Sequence, residues 1–222
     1  MPGRTLVWME LPLFPLHLVL FPGRQLPLHI FEVRYRRLLA DCMGGPRRFG
    51  VVAIRSGRAE GSGRSEVFEI GTVAEIEQVA ELSDGRSDIV TRGTQRFRIT
   101  ELLPPSPYLK AEVELLEDGA AGPEEAARAR QLRELLIPYL ASLGAPGELL
   151  ARVPSDPDGL AYLAAAAAQV EVPEQQRLLE LDSTAARLDA TLRLLRREAG
   201  LMKHFGTVGS LRPPGPGGAE LN

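Results

Sequence analysis

The side chains able to do chemistry are few and scattered. Histidine stands at His17, His29 and His204, and the single cysteine is Cys42, in a chain of 222 residues. A zinc site needs three or four such ligands in one place. His17 and His29 read as members of neighbouring strands with Glu32 the nearby carboxylate, which is too thin a set, so neither a metal nor a cofactor is expected. Cys42 can form no internal disulfide and has no histidine close to it in sequence, so it reads as a small buried apolar residue rather than a nucleophile. The lysines are Lys110 and Lys203. Neither belongs to a G-x-x-x-x-G-K-[ST] phosphate loop, and neither is placed to activate Ser183 or Ser210. Glu75 and Glu77 alternate out of a strand and read as a solubilising face. The expectation is a non-enzyme with no catalytic residues.

Arginine is the abundant charged group. Residues 34, 36, 37, 47, 48, 55, 58 and 64 are all arginine, against Asp41 and Glu60 in the same span. Such a cluster can track phosphates, so an RNA-binding module is the second reading. Against it, Tyr35 and Phe49 are the span's aromatics, too few for base stacking. Glu66, Glu69, Glu75 and Glu77 follow, and the formal net charge is −3. Nucleic acid is therefore not the expected partner.

The elements that must position these residues start with 11–41, LPLFPLHLVLFPGRQLPLHIFEVRYRRLLAD. Pro12 and Pro15 lack an N–H and argue against a continuous helix or a central strand. The expectation is an extended segment, a short strand over His17–Phe21, a type II turn at Pro22-Gly23, a strand over Gln25–His29, and a helix striped by Tyr35, Leu38 and Leu39. A strand at Phe49–Ile54 and a mobile Gly/Ser loop over 55–65 follow. Val67–Ala80 alternates with a change of phase between Val73 and Ile76, which signals a bulge. Asp84-Gly85 marks a hairpin into Ser87–Arg92. Gly93 breaks the pattern, Arg96–Thr100 resumes it, and Leu109–Leu115 gives the last strand. Six or seven strands with one early helix close most readily into a small barrel. After a linker at 118–123 the period lengthens to 3.6. Helices are expected through Leu132–Leu143, ended by Gly144–Gly147; from an Asp156 or Asp158 cap over Gly159–Val170; over Pro173–Leu181; and from Asp182 or Ser183 through Lys203. The fold class is thus α+β: a barrel over 1–118, an α-helical bundle over 119–205 and a disordered tail over 206–222. No apolar run reaches the ~18 residues of a membrane span, and the N-terminus is a poor signal peptide, so a cytoplasmic protein is expected.

The blocks LPLFPLHLVLFPGRQLPLHIFEVRYRRLL, VFEIGTVAEIEQV (Val67–Val79), Asp84-Gly85 and IVTRGTQRFRI (Ile89–Ile99) resemble, in order and spacing, the N-terminal substrate-binding domain of the Lon protease family. The likeness covers most of residues 10–117 and extends more loosely to about residue 203. It implies a PUA-like β-barrel that engages polypeptides, unfolded or partly folded. Nothing resembling that family's ATPase or peptidase parts follows, so a stand-alone binding module is expected, with a protease or chaperone as a candidate partner and self-association compatible. The apolar residues around the Pro-rich opening are the expected polypeptide contacts: Phe14, Leu16, Phe21, Pro22, Leu26, Leu28 and Phe31. Each of them also suits a core position.

Overall fold

The structure, a computed structural model, describes residues 8–56, 66–119 and 121–205, with side chains described as far as residue 200. Most of the expected mobile loop and the whole expected tail lie outside these residues. Seven strands come first: β1 (Trp8–Leu16), β2 (Gln25–Ile30), β3 (Arg48–Ser56), β4 (Glu66–Val67), β5 (Ile70–Glu81), β6 (Ser87–Leu103) and β7 (Lys110–Leu115), with helix α1 (Val33–Met43) between β2 and β3. Five helices follow: α2 (Pro123–Ser142), α3 (Gly147–Ala151), α4 (Pro157–Ala167), α5 (Val172–Glu180) and α6 (Thr184–Phe205). Among the described residues, no helix is long and apolar enough to cross a membrane.

The sheet closes on itself in the order β1-β7-β6-β5-β3 and back to β1, where β1 and β3 run parallel. Closure removes edges that would otherwise need protection. The barrel interior is filled by Leu11, Leu13, Val52, Val73, Phe97, Ala111 and Val113. Phe97 fits because two facing backbones carry no side chain. A Cβ on Gly50 would lie 2.7 Å from Phe97, and one on Gly71 would lie 2.5 Å from the Val51 carbonyl oxygen and 2.6 Å from Phe97.

The strand expected over His17–Phe21 does not form; the chain bends at His17 and Leu18 and runs irregularly to Phe21, and the strand is β1 with both prolines inside it. A change of partner makes this possible. β1 pairs with β7 through Trp8–Pro12 and with β3 through Leu13–Leu16. Leu13 N–H donates to the Leu109 carbonyl at 2.8 Å. Backbone groups alternate between the two edges of a strand, so the nitrogen of Pro12 faces the β3 side before β3 begins to pair. The nitrogen of Pro15 faces the β7 side after β7 has left. Neither proline removes a ladder bond.

The Pro22-Gly23 turn forms as expected, with Arg24 N–H bonded to the Phe21 carbonyl and Gly23 at φ 78°. Gly93 does not end a strand. β6 runs straight through it, and the residue is glycine because the turn crosses over it: a Cβ there would meet the Phe21 carbonyl oxygen at 2.6 Å. The bulge expected near Val73–Ile76 appears as two register shifts against β6, between Thr72 and Ala74 and between Ile76 and Gln78.

Among the helices, α2, α4 and α6 pack around Leu132, Leu136, Leu160, Ala161, Ala164, Leu188, Leu192 and Leu195. Asp156 caps α4 by accepting from Gly159 N–H at 2.7 Å, and the Ser183 hydroxyl accepts from Ala186 N–H ahead of α6. The extra helix α3 starts at Gly147, which the sequence reads as part of a terminator. Its five residues bury no side chain and leave no periodic signature.

Barrel and helices lock together through one carboxylate. Arg96 of β6 and Arg187 of α6 are 2 % and 0 % exposed. Asp118 Oδ1 accepts from Arg96 Nη2 at 2.6 Å and Arg187 Nη2 at 3.3 Å, while Oδ2 accepts from the Tyr162 hydroxyl at 2.5 Å. Arg96 also donates to the carbonyls of Leu179 and Leu181, and Arg187 to Leu181 and, from Nε, to Leu178. Burial holds the Tyr162 hydroxyl protonated well above its ordinary range and pushes the Arg187 pKa down.

Removing Asp118 leaves two buried guanidinium groups with carbonyl partners alone. Asp118→Ala should lower stability by about 3 kcal/mol, read as an earlier midpoint in urea unfolding. Gly71→Ala should cost about 1–3 kcal/mol by overpacking while leaving Asp118 and its partners in place, so the far-ultraviolet circular dichroism of the folded state should not change.

Candidate functional site

Beyond the barrel, the end of β5 and the start of β6 continue as a hairpin, and β2 adds to the outer side of β6. The hairpin closes with Leu82 N–H on the Arg86 carbonyl and Gly85 N–H on the Leu82 carbonyl. Gly85 supplies the positive φ of 79° that ends a three-residue loop of this kind. The result is a three-stranded arm, β2–β6–β5, with α1 laid against one face.

The covered face joins the core. Ile30, Ile89 and Ile76 from the arm meet Tyr35, Leu38, Leu39 and Cys42 of α1, and Phe14 stacks on Tyr35 at 4.0 Å. Cys42 donates its Sγ–H to the Arg48 carbonyl, and burial pushes the thiol up to about 11. It is a buried core residue, as expected, on the last turn of α1.

The seven expected contact residues divide by depth. Phe14, Phe21 and Pro22 are buried. Phe14 supports α1, and Phe21 packs on Tyr162 of α4 at 6.3 Å between ring centres. Leu16, Leu26 and Leu28 are half-buried, packed on the same core. Phe31 is 51 % exposed. The structure adds exposed apolar residues that the sequence reading passed over: Val33 at 79 %, Met43 and Leu82. Val33 lies off the Tyr35, Leu38, Leu39, Cys42 stripe, and a helical projection of α1 would have found it.

Two clefts border the arm, one over the face whose exposed side chains alternate away from α1 and one on the α1 side. One of about 440 Å³ is lined by Pro27, Leu28 and His29 of β2, Asp88, Ile89 and Val90 of β6, and Gln78, Val79 and Ala80 of β5. The other, of about 390 Å³, lies between α1 and the hairpin; Leu39, Ala40, Met43, Val79 and Leu82 give it an apolar lining, and Arg36, Glu81 and Arg86 also border it. Val79 borders both. His29 does not sit beside a histidine-bearing strand, because His17 is in a bend. Its Nδ1 is 2.6 Å from Asp88 Oδ1, and its ring stacks against Phe31 at 6.0 Å. A histidine on a carboxylate has a fixed orientation, and among the residues described as lining this cleft there is no serine, threonine or cysteine. What the surface offers is apolar area, oriented polar groups and exposed strand backbone.

Three of the six described arginines in the span are engaged within the chain. Arg34 pairs with Glu32, Arg37 with Asp41, and Arg55 lies over the Phe68 ring at 5.0 Å. Arg58 and Arg64 fall outside the described residues. A third depression, bordered by Arg55, Arg98, Glu69 and Glu180, carries both signs of charge.

Comparison with known proteins matches this architecture. A family model described as the ATP-dependent protease La (LON) substrate-binding domain matches residues 10–197. The Lon protease of Anaeromyxobacter dehalogenans is 33% identical over 199 residues, covering 87% of this chain and 24% of that protein; Lon protease 2 of Myxococcus xanthus is 32% identical over the same shares. The chain thus spans about a quarter of the length of these curated relatives. Among solved structures, a Lon N-terminal domain protein from Xanthomonas campestris superposes with a TM-score of 0.63 at 29% identity, covering 83% of this chain and 98% of that one. The N-terminal domain of a Mycobacterium avium complex Lon protease has the same fold, with a TM-score of 0.69 at 21% identity over 85% of this chain and 98% of its own. With the model spanning barrel and helices alike, the chain belongs to the Lon substrate-binding domain family.

Proposed function

We propose that this domain is a non-enzymatic binding module for unfolded or partly folded polypeptides, and that the arm and α1 form the contact surface. The observation that carries the reading is the exposure of Phe31, Val33, Met43 and Leu82 on the arm and α1, with Met43 and Leu82 lining the cleft between them, together with a strand, β2, that has one edge unpaired among the described residues. Exposed apolar groups of this size bordering a concave surface are the usual mark of an interaction site. Membership of a substrate-binding family supports the same assignment.

In this reading Leu16, Leu26, Leu28 and Phe31 keep the contact role expected of them. Phe14, Phe21 and Pro22 act from behind, by fixing α1 and the turn that carries β2. The barrel over 1–118 recognises the segment and the helices over 119–205 brace it. A protease or chaperone receives the captured chain, and the module works in the cytoplasm.

The test is fluorescence anisotropy with labelled reduced, carboxymethylated α-lactalbumin and, in parallel, a labelled single-stranded RNA at low and high salt. Apolar burial is nearly indifferent to salt, whereas phosphate binding falls steeply with it. The expected outcome is saturable, salt-tolerant binding of the polypeptide. The double variant Phe31→Ser, Met43→Ser should weaken it by about tenfold or more, from two lost apolar contacts. Salt-sensitive binding of RNA alone would sink the proposal.

A further inference from the structure

The outer strand of the arm carries backbone groups that have no partner among the described residues. Gly93 N–H donates to the Arg24 carbonyl, and the β2–β6 register continues from that pair. Because backbone groups alternate between edges, Leu26, Leu28 and Ile30 address β6. Gln25, Pro27 and His29 address the other edge, where no strand among the described residues pairs with β2. That edge presents the N–H groups of Gln25 and His29 and the carbonyls of Gln25, Pro27 and His29. All three side chains are exposed.

Pro27 at the centre of this edge discriminates between occupants. If a second copy paired its own β2 here with the greatest overlap, Pro27 would stand opposite Pro27 and neither could donate. A foreign segment loses only the single bond that Pro27 cannot give. Proline on an open edge is one way in which proteins avoid pairing with themselves. Charge narrows the occupant further. Arg24, directly before β2, is half-buried and has no carboxylate partner among the described residues; burial and the nearby Arg92 both push its pKa down. Two carboxylates lie on this side of the arm, and both are already engaged: Glu77 by Arg92 at 2.5 Å and Gln25 at 2.8 Å, and Asp88, at the far end of the edge from Arg24, by His29 at 2.6 Å. An uncompensated cation at the head of the strand favours an incoming anion.

We propose that the open edge of β2 receives an extended, acidic polypeptide segment by strand addition, bonded through Gln25 and His29, with a carboxylate of the segment toward Arg24. The inference rests on the polypeptide-binding reading and specifies its chemistry. Gln25 to His29 spans about 13 Å of strand, so about five residues of the segment suffice. Main-chain bonds supply affinity without regard to sequence, while the cleft beside Pro27 and Val90 takes a side chain from every second position.

The experiment uses the full chain, labelled carboxymethylated α-lactalbumin, and an octapeptide of alternating valine and threonine with glutamate at both ends. Hydrogen exchange by nuclear magnetic resonance should find the Leu26, Leu28 and Ile30 amides protected in the free domain and those of Gln25 and His29 open. Saturation with the octapeptide should slow exchange at Gln25 and His29 by about tenfold or more. Gln25→Pro should bind the octapeptide several-fold more weakly than Gln25→Ala, since the two differ in the edge N–H and neither touches the β6 ladder. Arg24→Gln should weaken the glutamate octapeptide but not its glutamine analogue. Bound octapeptide with no added protection at Gln25 and His29, or equal affinity of the Pro and Ala variants, would overturn strand addition. So would an octapeptide that fails while α-lactalbumin still binds. Failure of both probes would instead remove the polypeptide-binding reading beneath it. A dimer in sedimentation that Gln25→Pro dissolves would name a second copy as the occupant and overturn the proposal as well.

Discussion

The arrangement of the whole molecule depends on where one carboxylate sits. Asp118 follows the last barrel strand and precedes the first helix of the bundle, and it pairs with one guanidinium from the barrel, on β6, and one from the bundle, on α6. Buried arginines are costly unless their charge and donors are met. Here the carbonyls of Leu178, Leu179 and Leu181 at the end of α5 meet most of the donors, although Arg96 Nε and Arg187 Nη1 stay without a partner. The apolar contacts around this cluster, from Phe21 and Ile70 to Tyr162, Ala165 and Leu179, can assemble in one relative placement of barrel and helices. Apolar burial supplies most of the attraction, and the directional polar cluster selects the geometry.

Much of the fold was legible because its signals are local. The Pro22-Gly23 and Asp84-Gly85 turns, the Asp156 cap and the Leu109–Leu115 alternation each follow from a few adjacent residues. The misses share a different origin. Pro12 and Pro15 are compatible with β1 only because β1 exchanges partners between them, and Gly93 continues β6 only because the Phe21 carbonyl lies against it. Both facts belong to chain segments distant in sequence. A single sequence lists the residue and not the neighbour that explains it.

The candidate site was legible to the same extent. The region was found from its blocks, yet depth within it was not, because Phe14 and Phe31 look alike as letters. One is pressed between Tyr35 and Phe49, while the other, just past β2, stacks on His29 with half its surface open to solvent. Val33, Met43 and Leu82 were passed over because isolated apolar residues in polar surroundings carry little weight until the fold shows which of them stay exposed. Asp118 was visible as a linker residue and nothing more. Its role needs Arg96 and Arg187, which lie 22 and 69 positions away.

β6 belongs to the arm at one end and to the barrel at the other. Arg92 ties it to Glu77 in the arm, and Arg96, four residues further on, ties it to Asp118 and the helices. A strand shared in this way is a tension member. Pulled along its length, β2 would load its bonds to β6 together, in shear, rather than opening them one after another, and the load would pass down β6 to the polar cluster at the head of the bundle. Force applied at the outer edge would therefore reach the helices through a single continuous strand, without a hinge between.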